Sequence, residues 1–541
     1  MDRYHLTAAG LLMMKRGFWF VVGLVVTIIL LPSLVLSNSI GEQGIYADRL
    51  RAEPYNLLGR KIAIGQVEIG RPAQFGYDKV AAWQPPYKLA GVFFRNQIAK
   101  PNTYLDNHAA MVATVMVSDD KKIPGVAPKA RLYSGAVGSL RRGGQPEECL
   151  ASQNIARQNS GDVRAINFSF GESLQRDQRQ EAKLDGQALL TQCVDWSSRV
   201  DDVLYVIAGN QGKGGIPIPT DHFNGITTAY TAKREGKFTK VDFANISALP
   251  VGIGRSLIKR EINDGSRRSI NLVAPGNKIE LYDLKGKLNT VSGTSFAAPH
   301  ITASVALLQE YGDQQINQKN PHWSVDSRHH QVMKAVMLNA ADKIKDTGDG
   351  LLLGMRRTVL TKDQKTWLES DAYKDPKIPL DMQMGTGHLN TFRAYQQFSN
   401  GQWSAAESIP AIGWDYATVT ANSYQDYALE KPLKANSFVS ITLAWDRLVE
   451  LIDTNRNNLY DIDESFRDRG LNNLDVYLLP AQEDNNAKYT CASLSDSDSL
   501  EHIFCPVPIS GNYKIRVQYH QQVNEKEQAF ALAWWTGFGI I

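Results

Sequence analysis

From about residue 55 to residue 398, continuous apolar runs alternate with segments of helical spacing, and this alternation restricts the fold more than any other feature. "VLYVIAGN" (Val203 to Asn210) is an uninterrupted apolar run that stops at Gly-Asn. A strand covered on both faces reads that way, whereas a half-solvated strand alternates apolar and polar residues. "AAPHITASVALLQEYG" (Ala297 to Gly312) and "HQVMKAVMLNAAD" (His330 to Asp342) place apolar residues at helical intervals. Strands that alternate with helices predict an α/β domain with a parallel sheet covered by helices on both faces. From about Trp403 the pattern changes. "SFVSITLAW", "NLDVYLLP", "NYKIRVQYH" and "AFALAWW" read as short strands between polar turns, which predicts a separate C-terminal antiparallel β-sandwich over residues 403–541.

A chain of 541 residues is too long for one ordinary core, consistent with two domains. A net charge of +3 on this length gives no basic surface for nucleic acid, and no nucleic-acid partner is expected. At the N-terminus, Lys15 and Arg16 precede the uncharged stretch Gly17 to Ser37, and "SNS" (Ser37 to Ser39) offers small residues for cleavage. Residues 1–39 therefore read as a signal peptide or a membrane anchor. The protein is expected to be exported: secreted, periplasmic, or membrane-anchored with its catalytic domain outside the cytoplasm. Export makes the cysteines interpretable. Cys149 and Cys193 lie in the first half, and Cys491 and Cys505 lie close together near the end. An oxidising compartment then predicts one disulfide in each region.

The segment richest in chemistry is "SGTSFAAPH" (Ser292 to His300). Gly293-Thr294-Ser295 makes a tight turn, and the small residues after it open a helix. A serine at a helix N-terminus faces backbone N–H groups that stabilise developing negative charge. An isolated Ser there is more often a simple cap. The full string, however, resembles the nucleophile motif of the subtilisin-like serine proteases, the subtilases. "NHAAMVATVM" (Asn107 to Met116), followed by "GVAPKARLYSGAVG", resembles the subtilase histidine helix, although Ala109 and Ala110 stand where the family has Gly and Thr. "VIAGNQG" is similar to the segment that presents the oxyanion-hole asparagine, here Asn210. "INFSFG" resembles the strand that pairs with an extended peptide substrate, which assigns substrate binding to Ser169, Phe170 and Gly171. "NLVAPG" and "MGTGHLN" match later landmarks, so the resemblance spans roughly residues 55–398 in the family order of acid, His, Asn and Ser.

The acid departs from the pattern. Subtilases end their first strand on Asp-x-Gly, and "KIAIGQVEIG" (Lys61 to Gly70) offers Glu68-Ile69-Gly70 instead. A glutamate can accept the imidazole hydrogen bond with one extra methylene if the strand sits slightly back. Gln66 is the rival register, but an amide carries no charge to stabilise imidazolium. The resemblance thus implies an exported serine endopeptidase acting on protein or peptide substrates through Ser295, His108 and Glu68, with no cofactor for catalysis. The contrasting reading is an inactive subtilase fold that serves as a binding module. It draws on Ala109, Ala110 and the glutamate. Only about twenty residues separate the cleavage site from Lys61, too few for the usual inhibitory pro-domain, so self-inhibition is expected to work differently.

One loop carries metal-ligand spacing. "DTNRNNLYDIDE" sets Asp453, Asn455, Asn457, Asp461 and Glu464 at positions 1, 3, 5, 9 and 12, with the Leu459 carbonyl at position 7. This is a calcium-loop spacing except that Asn458 replaces the glycine at position 6, and Asn tolerates a left-handed backbone. A structural calcium ion is the cofactor expected there.

Overall fold

The structure is a computed structural model that describes residues 39–81, 85–138, 144–172, 174–209, 218–234, 236–241, 265 and 267–537. The stretch Gly17 to Ser37 lies outside these residues. No helix among the described residues is long and apolar enough to cross a membrane.

The expected central sheet is present. Its strands are β1 (Ala63–Glu68), β2 (Leu89–Phe94), β3 (Gln97–Ile98), β4 (Arg131–Ala136), β5 (Val163–Phe168), β6 (Leu204–Ala208), β7 (Ile226–Arg234), β8 (Lys237–Val241), β9 (Leu272–Pro275) and β12 (Val359–Leu360). A separate hairpin, β10 (Ile279–Tyr282) with β11 (Leu288–Val291), stands outside it. The order across the sheet is β12-β8-β7-β6-β5-β1-β4-β2-β3, with β9 also on β7. The sheet is mixed rather than wholly parallel, because β7–β8 and β2–β3 run antiparallel. Both pairs are joined by two residues. A connection that short can close only a hairpin, whereas parallel neighbours need a crossover. Every residue of β1, β5, β6 and β9 is buried, as continuous apolar strands require.

The helices that position the site are α1 (Asn107–Val117), α2 (Gln145–Ala156), α3 (Leu189–Val200), α4 (Thr294–Asn317), α5 (His330–Asn339) and α6 (Thr391–Phe398). Residues 39–57 pack against the rest of the fold. Ile45, Leu50 and Leu57 are buried in the main core, and the Ser39 hydroxyl shares a 2.8 Å hydrogen bond with His300 Nε2 of α4. Burial of that ring lowers the His300 pKa to about 4, so it is neutral at ordinary pH.

The C-terminal strands form the two antiparallel sheets of a sandwich. One has the order β13 (Ile412–Thr420), β22 (Glu527–Thr536), β15 (Phe438–Trp445), β20 (Leu500–Pro506). The other has β14 (Tyr424–Ala428), β21 (Tyr513–Gln521), β18 (Asn473–Pro480), β19 (Cys491–Ser493). A small hairpin, β16 (Val449–Ile452) with β17 (Ser465–Asp468), completes the region. The sandwich is not separate as its strand pattern predicts. Trp414, Ala444, Leu500, Ala531 and Ala533 belong to the same apolar cluster as Val206 and Leu307 of the α/β part. Buried side chains stitch the seam: Ser440 and Thr442 donate to Asn339 Oδ1 (2.9 and 3.0 Å), and Gln397 Nε2 donates to the carbonyls of Gly413 and Trp534.

Disulfides join Cys149 to Cys193 and Cys491 to Cys505, as the two-region placement of the cysteines predicts. The first ties α2 to α3 across 44 residues of sequence. Loop-closure entropy assigns a cross-link of that length about 3–4 kcal/mol. Cys149→Ser/Cys193→Ser is therefore expected to lose about that much stability in equilibrium denaturation. An unchanged midpoint would show that the bridge adds nothing to the packing of α2 on α3.

Candidate active site

Three buried segments converge at the C-terminal ends of the central strands. β1 lies in the middle, paired with β4 and β5, and delivers Glu68 at its last position with only 1% of its surface exposed. Beyond it the chain must pass close to the segment that leads into α1. Arg71 N donates to Tyr104 O (2.7 Å), and Asp106 N donates to Arg71 O (2.9 Å). A Cβ at Gly70 would lie 2.5 Å from Asp106 Cβ and 2.7 Å from Tyr104 O. Only glycine allows that approach. Asp106 then caps α1 by accepting from Ala109 N (3.1 Å), which starts the helix one residue before His108.

His108 Nδ1 and Glu68 Oε2 stand 3.2 Å apart, and the His108 side chain is 36% exposed while the carboxyl is sealed beneath it. Glu68 Oε1 is buried with no hydrogen-bond partner, which leaves the imidazole as the contact that compensates the buried charge. Burial raises the Glu68 carboxyl above its ordinary range, and His108 offsets only part of the rise. For His108, desolvation opposes the charged ring, but the Glu68 carboxylate, with a smaller contribution from Asp106, more than offsets it, so its pKa lies above the ordinary imidazole value. Gln66 does not reach the ring. It is buried two residues back and donates to Ser134 Oγ (3.1 Å) and Ala109 O (3.3 Å). Ala109 and Ala110 are fully buried, so both methyl groups fill space beneath the helix.

Ser295 is the second residue of α4 and is 7% exposed. Its hydroxyl donates to Ser169 O (3.2 Å), and Ser169 Oγ, which accepts from Asn167 Nδ2 (2.9 Å), donates back to Ser295 O (2.8 Å). This reciprocal pair fastens the tip of β5 to the start of α4. The His108 ring lies beside Phe296, the next residue, at a centroid distance of 5.6 Å. The structure thus gathers Glu68 with His108, Ser295 with Ser169, and His108 with the turn that carries Ser295. Ser169 and Phe170 are buried, and Gly171 is half-buried at the end of β5. Asn210 lies outside the described residues. Two tertiary contributions were invisible in the one-dimensional pattern: the Ser169 carbonyl that holds the serine hydroxyl, and Phe296 against the imidazole.

A carboxylate–imidazole pair beside a serine at a helix N-terminus can transfer a proton from the hydroxyl and stabilise an oxyanion with backbone N–H groups. The loop from Asp453 to Glu464 is remote from these residues in sequence and stabilises itself. Asp453 accepts from the N–H groups of Arg456, Asn457 and Asn458, Asp461 from the amides of Asn455 and Asn457, and Glu464 from Thr454 and Asp461. Asn458 is left-handed, with φ 59°. Among the described residues no three His, Cys, Asp or Glu side chains converge as a metal cluster.

The Subtilase family (peptidase S8) matches residues 90–356, a span that includes His108 and Ser295 but begins after Glu68. Subtilisin Savinase of Lederbergia lenta is 24% identical over 247 residues, covering 45% of this chain and 76% of the relative. Thermitase of Thermoactinomyces vulgaris is 23% identical over 241 residues, covering 44% and 68%. The solved structure of the prenylagaramide maturation protease PagA matches with TM-score 0.40 and 18% identity, over 66% of this chain and 97% of that one. The family match and the relatives support a subtilisin-like serine protease, a serine-type endopeptidase.

Proposed function

We propose that the chain is an exported endopeptidase whose triad is Ser295, His108 and Glu68, with glutamate in place of the family's aspartate. The observation that carries this reading is the 3.2 Å contact between Glu68 Oε2 and His108 Nδ1, with the carboxyl buried. In this scheme an extended peptide lies along Ser169, Phe170 and Gly171. The Ser295 hydroxyl leaves the Ser169 carbonyl, gives its proton to His108 and attacks the scissile carbonyl. Glu68 holds the imidazole in one tautomer and stabilises its charged form. The oxyanion is met by the Ser295 N–H and, from its place in "VIAGNQG", by Asn210. His108 then returns the proton to the leaving amine, and water repeats the sequence on the acyl-enzyme. Export is supported by the apolar stretch after Lys15 and Arg16 and by the two disulfides, which persist in oxidising compartments. Labelling of the full chain by a serine-reactive phosphonate, lost in Ser295→Ala, tests the assignment. A chain that never labels is a binding module on a subtilase fold.

For the loop from Asp453 to Glu464 we propose structural calcium. The support is its ligand spacing, its hard oxygen donors and the left-handed Asn458. The carboxylates now held by backbone and amide donors would have to turn toward the ion. Calcium at about a hundred times its dissociation constant would add about 2.7 kcal/mol. The full chain is expected to melt at a higher temperature in millimolar calcium than in chelator, and Asp453→Ala is expected to remove the difference. Equal melting temperatures for the wild type would overturn the proposal.

A further inference from the structure

Glu172 directly follows the Ser169–Gly171 segment, and its backbone is fixed by paired hydrogen bonds with Ile218 (2.9 and 2.8 Å). Its side chain turns inward at 1% exposure and meets Glu148 of α2, which is fully buried. With both acids ionised, neither Glu148 oxygen has a hydrogen-bond donor. Burial together with the like charge of Glu172 pushes the Glu148 carboxyl well above its ordinary range, which favours its protonated form. The neighbouring cation is Arg176. Its Nη1 stands 3.5 and 3.4 Å from the two Glu172 oxygens, longer than a good charge-assisted hydrogen bond, and its side chain is 42% exposed. Beside this group lies a cavity of about 430 Å³. One wall is Gly144 to Glu147, immediately before Glu148. Another is Arg176 to Arg179; neither acid lines the cavity itself, and Arg176 touches both the cavity and Glu172.

A purely structural role accounts poorly for this arrangement, because apolar residues of similar volume would fill the site at lower desolvation cost. What the pair lacks is a cation that reaches it at full strength. We propose that the cavity is a specificity subsite for an arginine or lysine side chain of the substrate, whose cationic head displaces Arg176 from Glu172 and draws Glu148 into the same ion cluster. The Glu148 proton then leaves to solvent as the positive charge arrives. Glu172 lies three residues beyond Ser169, whose carbonyl holds the Ser295 hydroxyl. At about 3.3 Å per extended residue the recognised side chain sits roughly three positions from the scissile bond. A planar guanidinium can bond both carboxylates at once, so arginine is favoured over lysine.

The inference rests on the peptidase reading of Ser295, and the experiment separates the two. Full-length protein is first labelled with the phosphonate, then assayed on peptides that carry Arg, Lys or norleucine at each position within four residues of the cleaved bond. Hydrogen bonds to a charged group predict a preference for Arg over norleucine on the order of ten- to hundredfold in kcat/KM, at one position only. Glu172→Gln should erase that preference. Arg176→Ala, on the rim, should strengthen it by removing the internal competitor, an effect that a structural role for the acids would not produce. A labelled, active enzyme with no preference for a cationic side chain at any position, or a preference unmoved in both variants, overturns the subsite. Failure to label overturns the peptidase reading and the subsite with it.

Discussion

Replacing Ser295 by alanine is expected to lower kcat on the order of a millionfold, the scale known for loss of the nucleophile in subtilisin, a relative of this chain. Loss of His108 should cost about as much, because the nucleophile and its base act as a unit. Residual hydrolysis would reflect substrate binding and backbone donors alone. The fold should tolerate the change. The lost hydroxyl makes one hydrogen bond, to Ser169 O at 3.2 Å, whereas Ser169 Oγ still holds Ser295 O at 2.8 Å. The measurement is turnover on an unstructured peptide or casein, with circular dichroism to establish folding and a phosphonate to count reactive serines. If the folded variant retained even a hundredth of wild-type kcat, another nucleophile would have to be sought.

Glu68→Gln is the second large effect, with kcat expected to fall about ten-thousandfold. The amide can occupy the same space but brings no charge, and its NH₂ can hold the ring in the wrong tautomer. The pH profile gives an independent readout. His108 acts as a base only when neutral, so activity rises with pH through its pKa. Burial lowers that pKa, and the Glu68 carboxylate together with Asp106 raises it further than burial lowers it, which puts the acid limb of the wild type above the ordinary imidazole value. With glutamine, desolvation is opposed only by the weaker effect of Asp106. The residual activity of Glu68→Gln should therefore show its acid limb at lower pH than the wild type. Gln66→Ala is the control, because Gln66 bonds Ser134 and Ala109 instead of the ring. An active Glu68→Gln beside an inactive Gln66→Ala would move the acid to the other register.

Much of the site was legible before any coordinates. The string around Ser295, the histidine that opens an apolar helix and the glutamate at a strand tip are local signals, set by neighbours within a few residues. Periodicity likewise marked the α/β alternation and the strand-rich C-terminal third, since burial on two faces or one leaves its imprint on consecutive residues. The spacing of the cysteines pointed to the right pairs for the same reason, each pair lying within one region. Less legible were the edges of the sheet, where two-residue connections made antiparallel hairpins in β7–β8 and β2–β3.

Contacts between distant segments carried no such imprint. The glycine register favoured Glu68 over Gln66, but it did not itself bring the carboxyl to His108. That meeting follows from the approach of Tyr104 and Asp106 to Gly70, which sets the start of α1 directly over the last residue of β1. The sandwich strands looked independent because their pattern reports one buried face, not what covers it. Only packing revealed that Trp414, Ala444 and Ala531 share a core with the α/β part. The buried meeting of Glu148 with Glu172 was equally silent, since each acid taken singly resembles a solvated surface residue. Sequence by itself determined the local chemistry: which side chains can act, and on what kind of element each stands. Tertiary structure alone decided which of them meet, because proximity between residues tens to hundreds apart is set by close packing of whole elements, and hydrophobic packing constrains volume and face without naming the partner.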